Sequence, residues 1–114
     1  MKKIGVAVKE NGKKLEHFGV CEYFIIYTFN EESYDIEYDD IVFSFKDHRP
    51  DVEEWDKSLD AVKNCDIVFC ECIGLAAKAE VERRGIKVIE DKGLVEEVLD
   101  RFLYGQKKKD SIKL

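Results

Sequence analysis

Apolar residues are spaced differently in the two halves of the chain. Ile4-Gly5-Val6-Ala7-Val8 is apolar on both faces and is stopped by the charged, turn-forming run from Lys9 to Lys14, the pattern of a strand inside a sheet. Tyr23 to Phe29 is continuously β-favouring, Asn30-Glu31-Glu32-Ser33 supplies a turn, and Tyr34 to Phe45 alternates as a third strand, so these two form a hairpin. The alternation of Ile36 and Tyr38 changes phase to Ile41, Phe43 and Phe45 across Asp39-Asp40, which predicts a bulge there. After Pro50 the period lengthens. Val52, Trp55, Leu59 and Val62 predict a helix from Asp51 to Lys63, with Asp51 as N-cap and Glu54 as its capping-box partner. Asp66 to Phe69 reads as a short buried strand, Leu75 to Arg84 as a second helix closed by Gly85, and Ile86 to Ile89 as a fifth strand. Leu94, Val95, Val98, Leu99, Phe102 and Leu103 make the clearest amphipathic stripe, a third helix. Lys107-Lys108-Lys109 and the polar residues around it read as a basic, flexible tail over 106–114.

This order predicts an α/β fold: a single domain with a five-stranded mixed sheet and three helices, beginning as a meander and ending in right-handed crossovers. If the first strand points up, the third, fourth and fifth do as well, and four loops meet at one edge: Lys9 to Val20, Lys46 to Pro50, Cys70 to Gly74 and Glu90 to Gly93. Sheets of this kind bind ligands at the carboxyl ends of their parallel strands.

That edge gathers the chain's metal-binding residue types, His17, Cys21, His48, Cys70 and Cys72. Cys65 lies at the other end of the fourth strand, about 16 Å from Cys70 at roughly 3.3 Å per residue, and is set aside as structural. Cys70-Glu71-Cys72 suggests soft-metal affinity, although a spacing of two is weaker evidence than a C-x-x-C knuckle, and thiols at a strand end also pack as small hydrophobes. In His17-Phe18-Gly19 the glycine lets the loop bend while the aromatic anchors it, presenting the imidazole outward; the plainer alternative is a loop histidine bonded to a backbone carbonyl. His48, in Asp47-His48-Arg49-Pro50, has the plainer reading of a solvated residue ahead of a helix. Ile73-Gly74 opens the second helix, whose first N–H groups favour an anion, though one glycine does not make a phosphate loop.

Charge narrows the partners. Hydrophobic residues make up 45% of the 114, enough for a core, while 19 basic against 25 acidic residues give a net charge of -6. Such a surface repels nucleic acid and anionic lipid. No apolar run reaches the roughly 18 residues of a membrane helix and the start lacks a signal-peptide pattern, so the expected location is the cytoplasm, with reduced cysteines.

Several segments together resemble one family. Lys3-Ile4-Gly5-Val6-Ala7-Val8, His17-Phe18-Gly19 followed by Tyr23-Phe24-Ile25-Ile26-Tyr27, Cys65-Asp66-Ile67-Val68, Ile73-Gly74 and Arg84-Gly85-Ile86-Lys87-Val88 occur in an order and spacing similar to the dinitrogenase iron-molybdenum cofactor biosynthesis family, the domain seen in NifX, in NafY and at the carboxyl end of NifB. The resemblance implies a cluster-binding domain over residues 1–105 with ribonuclease H-like topology, binding an iron-sulfur or molybdenum-containing cluster. It makes His17 the first ligand to consider, followed by Cys21 and Cys72, with Phe18, Gly19, Ile73 and Gly74 around the cofactor. Cys70-Glu71-Cys72 departs from the family's smaller or glycine-rich residues at that place, and the cargo need not be the nitrogenase cofactor.

The expectation is therefore a non-enzymatic carrier that takes a metal-sulfur cluster from a donor protein and passes it to an acceptor, as a monomer or weak homodimer, with no catalytic residues. The cluster could be absent from the isolated protein. Thiolates suit iron and imidazole suits iron and molybdenum, and few ligands let a cargo leave. A two-metal nuclease would need carboxylates on the first strand, which has none. Asp39-Asp40 and Glu53-Glu54 fit charged turns and caps. The alternative is a small regulatory or protein-interaction module with no bound metal.

Overall fold

The structure, a computed structural model, describes residues 1–44 and 54–112. Five strands, β1 (Lys2–Val8), β2 (Tyr23–Asn30), β3 (Asp35–Phe43), β4 (Ile67–Cys70) and β5 (Lys87–Glu90), are joined to three helices, α1 (Glu54–Ala61), α2 (Leu75–Arg83) and α3 (Val95–Ile112). The strands form one mixed sheet in the order β3-β2-β1-β4-β5. β1 pairs antiparallel with β2 and parallel with β4, and β4 pairs parallel with β5. Among the described residues no helix is long and apolar enough to cross a membrane.

The strand period sorts the core into two layers. Ile4, Val6 and Val8 of β1, with Ile67 and Phe69 of β4, face α3 and meet Val95, Val98 and Leu99. Ala7, Phe24, Ile26 and Val68 face the other way, onto Leu59 and Val62 beside α1 and Ala77 and Val81 of α2. Burial on both faces is why β1 reads as continuously apolar.

The predicted bulge is present. Ile26 pairs with Asp40 and Tyr27 with Tyr38, leaving Asp39 as the extra residue of β3. Gly85, with φ +83°, follows α2 where a left-handed residue closes the helix, its N–H donating to the Glu82 carbonyl at 2.9 Å. The Asp51 cap, His48 and the Phe45 end of the predicted third strand lie outside the described residues.

Several elements differ from their predicted bounds. β1 begins at Lys2, because ladder pairing with Phe29 and Thr28 is a backbone property that tolerates exposed lysines. β4 and β5 each lie one residue later than predicted, ending at the pair Cys70 and Glu90, so Cys70 belongs to a strand rather than a turn. Residues 106–112 are helical and not a loose tail. Their lysines and glutamine are good helix formers, and the segment is tied to the β2–β3 turn, where the Tyr34 hydroxyl donates to the Asp110 carboxylate and the Lys107 ammonium lies 5.8 Å from the Tyr34 ring centre.

Candidate functional site

Three of the four expected loops interlock at the carboxyl edge of the sheet; the fourth lies outside the described residues. The Glu16 N–H donates to Ala7 at the end of β1 (2.9 Å), and the Glu71 N–H donates to the Glu16 carbonyl (3.0 Å). The Phe18 N–H donates to the Cys72 carbonyl (2.9 Å), and the Leu15 N–H to the Gly93 carbonyl (3.0 Å). The loop after β1 is thus stitched to the turns after β4 and β5.

His17 starts a compact turn within that loop. Its carbonyl accepts from the N–H groups of Val20 (3.1 Å) and Cys21 (2.9 Å), and its Nδ1 accepts the Gly19 N–H at 2.9 Å. With Nδ1 occupied as an acceptor, the neutral ring carries its proton on Nε2, which becomes a donor. The turn drives Phe18 and Cys21 into the α1 and α2 side of the core and leaves His17 half-buried at the edge.

The thiols divide by depth. Cys72 is exposed, whereas Cys21, Cys65 and Cys70 are buried. Cys21 is fully enclosed, its Sγ donating to the Phe18 carbonyl at 3.3 Å and lying 3.5 Å from Ser58 Oγ. Cys70 was expected in the turn, but as the last residue of β4 it alternates with Phe69 and points into the same layer as Val68. Burial pushes its thiol up to about 12, and the Glu90 carboxylate adds to the rise. Cys65 is pushed up to about 11 by burial, with Asp66 adding to it. Of the five residues expected to gather as metal ligands, the structure leaves the half-buried His17 and the exposed Cys72 on the edge, where the Phe18 N–H bonds the Cys72 carbonyl. It places Cys21 and Cys70 in the interior, and His48 is outside the described residues. No group of three or more His, Cys, Asp or Glu side chains positioned to hold a metal ion occurs among the described residues.

Backbone and cations complete the edge. Gly74 is the N-cap of α2, with no side-chain cap and no acidic residue in the first turn, so the positive end of the helix is not offset locally. Two carboxylates nearby are paired: Glu16 with Lys9 at 3.5 Å and Glu90 with Lys78 at 3.6 Å. Ser58 was not singled out by the sequence. Fully buried on α1, its hydroxyl donates to the Phe18 carbonyl at 2.6 Å and ties the His17 turn to that helix. The available signal was a polar residue three positions after Trp55, on the apolar stripe of the helix.

Solved structures share this architecture. PH0822 matches with a TM-score of 0.70 at 20% identity, covering 90% of this chain and 91% of that one. The apo form of the orange protein from Desulfovibrio gigas matches with a TM-score of 0.70 at 22% identity, covering 93% and 90%. A protein from Methanocaldococcus jannaschii matches with a TM-score of 0.63 at 19% identity, covering 92% and 90%. At these identities the likeness is one of fold. No curated protein matches the sequence. The family model described as dinitrogenase iron-molybdenum cofactor matches residues 1–105, nearly the whole chain, and the chain belongs to that family.

Proposed function

We propose that this protein is a non-enzymatic carrier that holds an iron-sulfur or molybdenum-containing metal-sulfur cluster at the His17–Cys72 edge during transfer between a donor and an acceptor protein. The observation that carries this reading is the backbone bond from Phe18 to Cys72, which, in a member of a cofactor family, ties the turn of the half-buried His17 to the residue that bears the one exposed thiol. Cys72 supplies a thiolate ligand. His17 donates from Nε2 to a sulfide or oxo group of the cargo, a role the Gly19 N–H supports by occupying Nδ1. The uncapped start of α2 at Ile73-Gly74 adds positive potential for an anionic cluster, and Lys9 and Lys78 offset the neighbouring carboxylates. Phe18 and Gly19 shape the turn, and Cys21 anchors it from inside. A ribonuclease H-like topology belongs to the same proposal, supported by the β3-β2-β1-β4-β5 order with β2 antiparallel.

One thiolate and one hydrogen-bond donor make a shallow holding site, which suits cargo that must leave. Titration of the protein under anaerobic conditions with a thiomolybdate anion, and separately with iron and sulfide, tests this by visible absorption. A saturable band that weakens in His17→Ala and disappears in Cys72→Ser is expected. Identical spectra for all three proteins would remove the carrier reading.

A further inference from the structure

The two faces of the sheet are covered unequally. Five strands about 4.8 Å apart span roughly 19 Å between the outer strand axes, whereas one helix is about 10 Å across, so a face needs two helices. One face has α1 and α2; the other has a single helix, α3, with the loop after β1 beside it, where Leu15 is fully buried and Gly12 lies against Tyr23 and Ile25. On that second face the β2–β3 half is only partly covered, with Tyr23, Ile25, Tyr27 and Ile36 half-buried against the α3 layer. Register with Tyr27 and Ile25 places Tyr38 and Ile41 there, and they are 63% and 39% exposed. Large apolar side chains clustered in this way on a surface mark a place of association.

Tyr27, the strand partner of Tyr38, also lines a groove against α3. Two adjoining hollows of about 500 and 630 Å³ share Tyr27, Val95 and Glu96 as lining. Val95 and Leu99, themselves buried, form its floor with Leu103, four residues apart along α3, and Glu96 and Asp100 make the acidic row beside them. Asp35 adds a third carboxylate at the hairpin end, and Lys13 is the lining cation at the other. Glu96 also faces Tyr27, whose hydroxyl is pushed upward by burial first and by that carboxylate second.

We infer that a partner protein docks here through a basic amphipathic helix lying beside α3, its apolar row on Tyr27, Tyr38 and Ile41 and its Lys or Arg row on Glu96 and Asp100. The length of the lining sets the footprint, since Val95 to Leu103 rises about 12 Å, or roughly two turns of the partner. Charge selects the occupant. A second copy brings the same acidic row and a net charge of -6, and its own Lys107 is engaged over Tyr34, whereas a basic helix meets the carboxylates with opposite charge. The surface is independent of whether the His17–Cys72 edge is loaded.

The probe is a synthetic helical peptide of about 14 residues with leucines four apart and a lysine after each, titrated into the isotope-labelled full chain. Amide shifts confined to Tyr27, Ile36, Tyr38, Val95 and Leu99 are expected, with binding weakened about tenfold or more in the exposed double variant Glu96→Lys, Asp100→Lys and unchanged in Glu82→Lys. Thermal melting of each variant establishes that it is folded. A peptide with glutamates in place of the lysines should not bind. Shifts elsewhere, indifference to the double charge reversal, equal binding of the acidic peptide, or a dimer of the free chain that the peptide displaces from this face would each overturn the proposal.

Discussion

The Phe18 N–H donates to the carbonyl of Cys72 at 2.9 Å, joining residues 54 positions apart in sequence (72 minus 18) at the mouth of the sheet. This bond fixes the turn that His17 begins, one residue before Phe18, against the backbone of the residue that carries the exposed thiol. Everything around it acts to hold the pair in place: the Gly19 N–H on His17 Nδ1, the Glu71 N–H on the Glu16 carbonyl, and Ser58 on the Phe18 carbonyl from below.

Ser58→Ala removes that support. The buried Phe18 carbonyl then loses the Ser58 hydroxyl and keeps the weaker thiol of Cys21, and the cost is expected at about 1–2 kcal/mol in urea unfolding. The His17 and Gly19 amide resonances should shift as well. Unchanged stability with unchanged resonances would show that α1 does not position the turn.

Thiol chemistry should single out Cys72. At neutral pH a thiol-specific reagent should label one cysteine quickly in the native protein and all four only after unfolding, because the other three are buried. The thiols of Cys65 and Cys70 bear on stability as well. Burial lifts both from the ordinary thiol value of 9.0, to about 11 and 12, so from about pH 9 up to these folded values the native state holds protons that the unfolded state has lost. Stability is thus full below about pH 9 and falls as pH rises through the folded values. A Cys65→Ala, Cys70→Ala variant should show a flatter decline in its alkaline melting profile.

Gly5→Ala should be costly despite its small size. A Cβ there would lie 3.0 Å from Cys65 Sγ and 3.5 Å from Val62 Cγ1, in the central strand where nothing can retreat easily. A loss of about 1–3 kcal/mol is expected. Much of it should return in the Cys65→Ala background, where the obstructing sulfur is gone; an equal loss in both backgrounds would place the strain elsewhere.

Tyr34→Phe tests what holds the end of α3. Removing the hydroxyl takes away the Asp110 contact while leaving the ring under Lys107. Amide hydrogen exchange should quicken in residues 106–112 and stay unchanged in Val95 to Leu103, whose row is packed on the sheet.

The strands and helices were legible because burial imposes period. The fully apolar Ile4 to Val8, the phase change at Asp39 and Gly85 after α2 each leave a local mark on the sequence. What was not legible depended on contacts between distant residues. Cys70 looked like part of a turn because the sequence does not show that β4 pairs as far as Glu90, which keeps the thiol within the strand alternation, on the buried side of Val68. Cys21 looked accessible because a polar loop surrounds it, yet the His17 turn folds it inward. The last turns of α3 looked loose because their anchor, Tyr34, lies 76 residues from Asp110.

The carrier reading turns on whether the exposed thiol next to His17 retains a metal-sulfur cargo. The direct measurement is the metal-to-protein ratio after anaerobic loading with thiomolybdate and rapid desalting, compared between the wild type and Cys72→Ser, with the folded state of both verified by circular dichroism. The account predicts a fixed ratio in the wild type and near-complete loss in the variant. Equal retention in both, or none in either with thiomolybdate and with iron and sulfide alike, would contradict it.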